Sequence, residues 1–462
     1  MQIPILSGIS AGAEFRSEYP VNLIPVPKAT GLSDGYLAPA HGIVANGTGL
    51  DRGGVEWRGG LYRVLGDSLY RVNSDGTKAL IGAIGGTGQV SMTYGFDHIA
   101  IASAGELWLF NGAVLARVTD GDLGRVVDVV WSDGYFITTD GEFIVVTDLN
   151  DPFSVNPLKY GSSEADPDPI VAVLRLRVEL YAVNRYTVEV FSNIGGSGFP
   201  FDRIVGAQIQ KGAIGTHAVT VYQDGLAFVG SGRDEAPGIY IAGNGAAAKI
   251  STREIEEIIG GYTEAELSGT VVETMTETMH QFLIVRLPRH TMVYDAAASA
   301  ALQSPVWFRL ASSIDGAGAW GAQNLVWCYD RWNVGRNGAD GIGYLDRSTG
   351  EHWGADVGWS FTTPIVYAEG RGAVFHELEI VGLPGQSSFG GSATIATQYS
   401  TDGVEWSNLR YISAGDAGQR NKRLSWRGCG MLRNWRIQRF VGTSETRVSM
   451  ARLEARLEPL AF

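Results

Sequence analysis

The chain has 462 residues, 62 of them glycine, with 10% aromatic and only 18% charged side chains. That mix fits many short strands joined by tight turns and argues against a fold of long helices. The formal net charge of −13 repels nucleic-acid phosphates, and no apolar run approaches the ~18 residues of a membrane helix, so neither an ordinary DNA-binding protein nor a helical membrane protein is expected.

Met1-Gln2-Ile3-Pro4-Ile5 lacks a basic stretch followed by an apolar core, so no secretory signal is expected. Residues 1–50 read as an extended arm, because Pro4, Pro20, Pro25, Pro27 and Pro39 interrupt any helical period. Within it, Val21 to Lys28 is apolar enough to pack against something.

From about Val55 one unit recurs: a strand, a Gly- or Asp-containing turn, and a short strand with an aromatic or branched centre. The triplets centred on Tyr70, Trp108, Ile144, Glu189, Tyr240, Val293 and Gly343 are equivalent anchors, spaced by 38, 36, 45, 51, 53 and 50 residues. A four-stranded propeller blade takes roughly 40–50 residues, so residues 51–364 are expected to form a β-propeller of six or seven blades. An irregular β-sandwich with coincidental spacing is the competing reading. The clearest hairpin runs from His280 to Asp295, with strands at 282–287 and 291–294 around Pro288-Arg289-His290. Neither strand alternates, so both are expected to be covered on two faces.

One helical insertion is expected near 251–267. Ser251-Thr252-Arg253-Glu254 and Thr263-Glu264-Ala265-Glu266 have capping-box spacing, and Ile255, Ile258 and Ile259 share a face that packs back on the propeller or meets a partner. After Pro364 the pattern changes to alternating strands near 373–381, 393–399, 435–438 and 448–455, which predict a β-sandwich-like domain over 365–462. Charge changes there too. The last 98 residues carry 12 basic and 9 acidic side chains, net +3, leaving 24 basic and 40 acidic, net −16, in the rest.

Catalytic and metal signatures are absent from the sequence. Seven scattered histidines show no metal-ligand spacing, and Cys328 and Cys429 are too few for a disulfide framework or a cysteine zinc site. The chain is expected to fold in a reducing cytoplasm, to need no cofactor and to catalyse nothing. Ser400 to Trp406 resembles the Asp-box turn of sialidases but is one residue short and occurs once. A carboxylate pair suited to glycoside cleavage could still assemble from distant residues. Arg423, Arg427, Arg433, Arg436 and Arg439 form one basic cluster interleaved with tryptophans, a candidate docking surface for a copy of the chain or an acidic partner.

Several stretches, in matching order, resemble the packaged-DNA stabilisation or tail hub family of short-tailed Salmonella-type phages. They are Val21-Asn22-Leu23 with Pro27-Lys28, Gln89-Val90-Ser91-Met92 with Gly95, Gln210 to Thr216, Ile255 to Ile259 with Tyr262-Thr263, Leu287-Pro288-Arg289-His290 with Val293-Tyr294-Asp295, and Thr401-Asp402-Gly403. The resemblance implies a propeller subunit without turnover that assembles as a homo-hexamer under the phage adaptor (head-to-tail connector) ring and, through it, the portal. It also implies closure of the channel to retain packaged DNA, contacts with a tail needle or plug and with tail fibres or spikes, and a place in the virion tail after synthesis in the bacterial host cytoplasm. Double-stranded DNA would pass without sequence-specific binding. The alternative is a glycan-binding or glycan-degrading propeller of a phage tail. Paired acids among aromatics at the propeller centre would mark it.

Overall fold

The computed structural model describes residues 1–10, 16–28, 33–196, 198–367, 372–386 and 393–460. Seven four-stranded antiparallel units follow one another around a ring. Blade 2 is Ser91–Tyr94, Ile99–Ser103, Glu106–Phe110 and Leu115–Arg117, counted from the centre outwards. Blade 3 starts at Asp128–Ser132, blade 4 at Ile170–Leu176, blade 5 at Val219–Tyr222, blade 6 at Val271–Glu277 and blade 7 at Ala322–Cys328.

The ring closes through one long strand, Gly42–Trp57. Its first part pairs with Asp340–Asp346 as the outer strand of blade 7, and its second pairs with Gly60–Leu65 as the inner strand of blade 1. The strand shifts register between Asp51 and Gly53 as it changes blades. Gly53 has φ 153°, and a Cβ there would lie 2.7 Å from Val90 Cγ2, so the crossing requires glycine. Residues 42–50, expected in the arm, are thus part of blade 7.

All seven anchor triplets fall on the third strand of a blade. Their missing alternation has a simple cause: a blade is covered by a neighbour on each face. The buried side chains accordingly divide into seven interblade cores, such as Val64, Leu69, Ile99 and Ile101 between blades 1 and 2, plus one core in the sandwich. In the 280–295 hairpin, His280–Arg286 pairs with Thr291–Asp295, and both strands lie in the middle of blade 6. Leu287, expected at a strand end, belongs to the turn, where its N–H donates to His290 O at 2.9 Å.

Helices α1 (Arg253–Gly260) and α2 (Glu264–Leu267) lie between blades 5 and 6. The Thr263/Glu266 capping box forms. The box expected at Ser251 does not: Thr252 is the cap residue and makes no side-chain cap bond, because Ser251 Oγ is engaged with Ile239 N and Glu256 while Glu254 accepts Ser17 N–H. Ile255 and Ile259 are buried in the core shared by blades 5 and 6, with Ile239, Leu283 and Val285, so the apolar face packs back on the propeller. A third helix, α3 (Ala296–Leu302), was not expected; Asp295 caps it by accepting from Ala297 N and Ala298 N.

The C-terminal domain is a two-sheet sandwich that starts at Gly358–Thr362. One sheet holds that strand with Trp435–Thr443, Thr394–Ser400 and Arg410–Ser413. The other holds Ala373–Leu383, Ser449–Pro459 and Leu424–Arg427, and the N-terminal segment completes it. Gln2–Ile3 pairs with the last strand, and the hairpin Leu23–Pro27/Gly35–Pro39 joins the same sheet. Ile3, Leu23 and Leu37 therefore share a core with Trp359, Phe375 and Phe440. No described helix is long and apolar enough to cross a membrane.

Candidate docking surface and central channel

The inner strands of all seven blades line a central channel of about 360 Å³, with Gly53, Ser91, Asp128, Val173, Thr220, Glu273 and Leu325 as one residue from each. Two acids line it, on blades 3 and 6, and both are committed to the ring. Asp128 Oδ2 accepts the Val173 N–H of blade 4 at 2.9 Å. Burial pushes its carboxyl up to about 6 against the lowering effect of hydrogen bonds from Ser91 and Val173. Glu273 Oε1 accepts Leu325 N–H of blade 7 at 2.7 Å, and its Oε2 accepts Arg286 Nε at 2.9 Å. His217, also at the channel, is pushed down to about 4 by burial and the nearby Arg286 charge, so it is neutral at pH 7. Among the described residues, no Phe, Tyr or Trp lines the channel. These acids act as blade-to-blade pins, and they do not supply the paired, substrate-facing carboxylates that sugar cleavage requires.

Ring closure has a polar lock that the sequence did not reveal. Asp51 and Arg63 are both almost fully buried and paired through two bonds, Nε to Oδ1 at 2.7 Å and Nη2 to Oδ2 at 2.9 Å. Asn324 Nδ2 of blade 7 donates to Asp51 Oδ2 at 2.7 Å, and Gln89 Nε2, in the connection leading into blade 2, donates to Asn324 Oδ1 at 2.7 Å. One network thus ties blades 7 and 1 to the connection into blade 2.

The five arginines do not form one surface. Arg436 is only 1% exposed and lies between the rings of Phe375 and Tyr399, at 4.2 and 4.1 Å, donating to Cys429 O and Gln438 Oε1. Burial lowers it to about 10. It is a core residue and leaves the docking set. Arg439 is half-buried, paired with Glu18 at 3.0 Å and stacked over Trp406 at 3.9 Å. Arg423 is exposed but makes a bidentate pair with Glu379 at 2.8 and 2.6 Å. Arg427 and Arg433 are exposed, on the edge strand Leu424–Arg427 and in the turn before Trp435. The Asp-box-like stretch is a turn: Asp402 Oδ1 accepts Val404 N–H and Glu405 N–H.

The joint between the domains rests on the N-terminal segment. Val21 exchanges backbone bonds with Ser360 of the sandwich, and Asn22 N–H donates to Arg309 O of blade 6. Buried Asn22, at φ 54°, donates through Nδ2 to Ala311 O and Gly358 O and accepts Ala311 N–H, so one side chain holds both domains.

These features define an all-β propeller–sandwich protein whose channel acids bind its own backbone. Residues 1–350 match the family model described as "Bacteriophage P22 Gp10, beta-propeller", and residues 358–458 match "Bacteriophage P22 Gp10, beta-sandwich". The chain belongs to the bacteriophage P22 Gp10 family. It is 28% identical, over 493 aligned positions and 99% of each chain, to the "Tail hub protein gp10" of Salmonella phage P22. Solved structures similar to it include the Pan2 WD40 domain of Neurospora crassa, at 10% identity and TM-score 0.43 over 66% of this chain and 95% of that one. Hsv2 of Kluyveromyces lactis aligns at 10% identity and TM-score 0.37 over 71% and 95%. Likeness at that level carries no weight for function.

Proposed function

We propose that this chain is a structural tail hub subunit of a short-tailed phage virion. Made in the bacterial host cytoplasm, it assembles as a six-membered ring beneath the adaptor ring and portal, closes the channel behind packaged DNA, and connects to the needle or plug and to fibres or spikes. The observation that carries this reading is the full-length similarity, spanning propeller and sandwich alike, to a relative named as a tail hub. A role without turnover is supported by the two channel acids, each bound to a neighbouring blade. The lumen inside one propeller is small, about 360 Å³, so in this reading the DNA path is the centre of the ring of subunits. The acidic body, net −16, would keep passing DNA from sticking there. Arg427 and Arg433 remain the docking candidates of the basic cluster.

Native mass spectrometry of portal–adaptor complexes mixed with the purified chain tests the assembly. Six bound copies are expected; no association would remove the hub reading.

A further inference from the structure

The two faces of the propeller differ in what they expose. One face carries the turns from inner to second strand and from third to outer strand; the other carries the connections between blades. Most of the exposed large apolar side chains of the propeller lie on or beside the turn face: Phe96 is 80% exposed, Val178 67%, Ile194 64%, Leu149 54%, Trp327 49% and Phe153 41%. A built platform sits at its centre. Phe96 of blade 2 stacks edge-on against Trp131 of blade 3 at 5.2 Å, and Arg175 of blade 4 lies 5.5 Å from the same Trp131 ring. Gly95 makes the stack possible, since a Cβ there would come within 2.7 Å of Trp131 Nε1. Aromatic and arginine side chains on an apolar field are the composition of interface centres. Between them stand the exposed acids Asp97, Asp133, Asp151 and Asp224, of which Asp97 pairs with Arg58 at 3.5 Å and Asp224 with Arg177 at 3.6 Å.

The sandwich carries a counterpart. Arg410 donates to Arg427 O and Gly428 O, and Trp426 Nε1 donates to Arg410 O, so the edge strands Arg410–Ser413 and Leu424–Arg427 are tied together. Tyr411 (63% exposed) and Leu409 (40%) lie on that edge beside exposed Arg427, with Arg433 in the turn that follows. The bonds that join the N-terminal segment and sandwich to the propeller run through α1, Glu277, Arg309, Ala311 and Ser313, and among the described residues none reaches blades 2 to 4. The turn face of blades 2–4 is left to something else.

Resting on the ring reading above, we propose that the occupant of that face is the sandwich edge of a second copy. The acidic apolar face of one propeller takes the basic apolar edge of the next chain in a head-to-tail contact. Two different patches on one chain make the contact heterologous, the kind that repeats around a closed ring, whereas an isologous contact stops at two. The net −16 body and net +3 tail give the charge complementarity.

The test uses two full-length variants, one of the face (Phe96→Asp with Val178→Asp) and one of the edge (Tyr411→Asp with Arg427→Glu), followed by sedimentation velocity. The parent should self-associate, more weakly at high salt, and each variant alone should associate at least tenfold more weakly. Mixed, the two variants should form a 1:1 dimer that grows no further, because only one intact face–edge pair remains. That dimer also shows that both variants fold. A second pair, Asp97→Lys with Asp224→Lys against Arg427→Glu with Arg433→Glu, should weaken association singly but, when mixed, grow beyond a dimer, because the exchanged charges restore the second contact as well. A parent that associates while the variants match it overturns this contact and leaves the ring reading standing. A parent that stays monomeric at all concentrations overturns this contact, while the ring reading stands or falls on the copies bound to portal–adaptor complexes.

Discussion

Two carboxylates, buried Asp51 and half-buried Glu18, hold different parts of this molecule in different ways. Asp51 closes the propeller: both of its oxygens take hydrogen bonds, from a paired guanidinium and from an amide of the next blade. Glu18 sits where arm, sandwich and propeller meet. One oxygen accepts Arg439 Nη2 at 3.0 Å, while the other is buried beside Thr362 and Arg309 without a hydrogen bond among the described residues. Burial raises the Glu18 carboxyl, opposed by Arg439. Asp51, with both oxygens bonded, fixes the ring closure even though Arg63 Nη1 is buried without a partner among the described residues. Glu18, bonded through one oxygen, leaves the joint as the place where the molecule can yield.

The largest effect should come from breaking the closed side. Arg63→Ala leaves Asp51 buried and unpaired, which costs about 3–5 kcal/mol and should lower the urea midpoint sharply. Glu18→Gln should cost clearly less than Asp51→Asn in the same assay; equal costs would erase the contrast. At the joint, Asn22→Ala removes three buried bonds at a left-handed position and should cost about 3 kcal/mol, with faster proteolysis between residues 347 and 357.

Asp128 gives a pH signature. Its folded pKa of about 6 lies above the ordinary value, so the folded state holds the proton more tightly. Stability from this group is present below about pH 4 and lost as pH rises through about 6. Asp128→Asn, which can still accept from Val173, should therefore gain on the parent by about 2 kcal/mol between pH 4 and pH 7. Unfolding curves at both pH values read the difference directly. The smallest effect belongs to Arg423: its carboxylate pair is solvent-exposed on the arginine side, and Arg423→Ala should leave Tm unchanged within error.

Much of the fold was legible because propeller blades are local. Each blade's strands are neighbours in sequence, so the anchors, the 280–295 hairpin and the Thr263 box all carry nearby signals. The anchors left six or seven blades open, since the last blade borrows residues 42–50 from the other end of the chain. The sandwich shows the same limit, with Gln2–Ile3 pairing to the last strand. Helix α3 was within reach, because Asp295 before a run of alanines is a capped helix start. Arg436 misled for another reason: a charged residue in a basic run is ordinarily exposed, and its burial is made tolerable by bonds to Cys429 O and Gln438 Oε1 together with the flanking rings of Phe375 and Tyr399, remote in sequence. Asp51 and Arg63 carry no local signal, as the blade 7 amide that completes their pair lies across the ring closure.

DNA-filled capsids lacking this protein provide the most direct measurement. The purified chain is added and DNA release is followed over time. DNA should stay inside while the protein remains bound as a stoichiometric ring. DNA that leaks at the unsupplemented rate, with the protein left free, would contradict the hub reading.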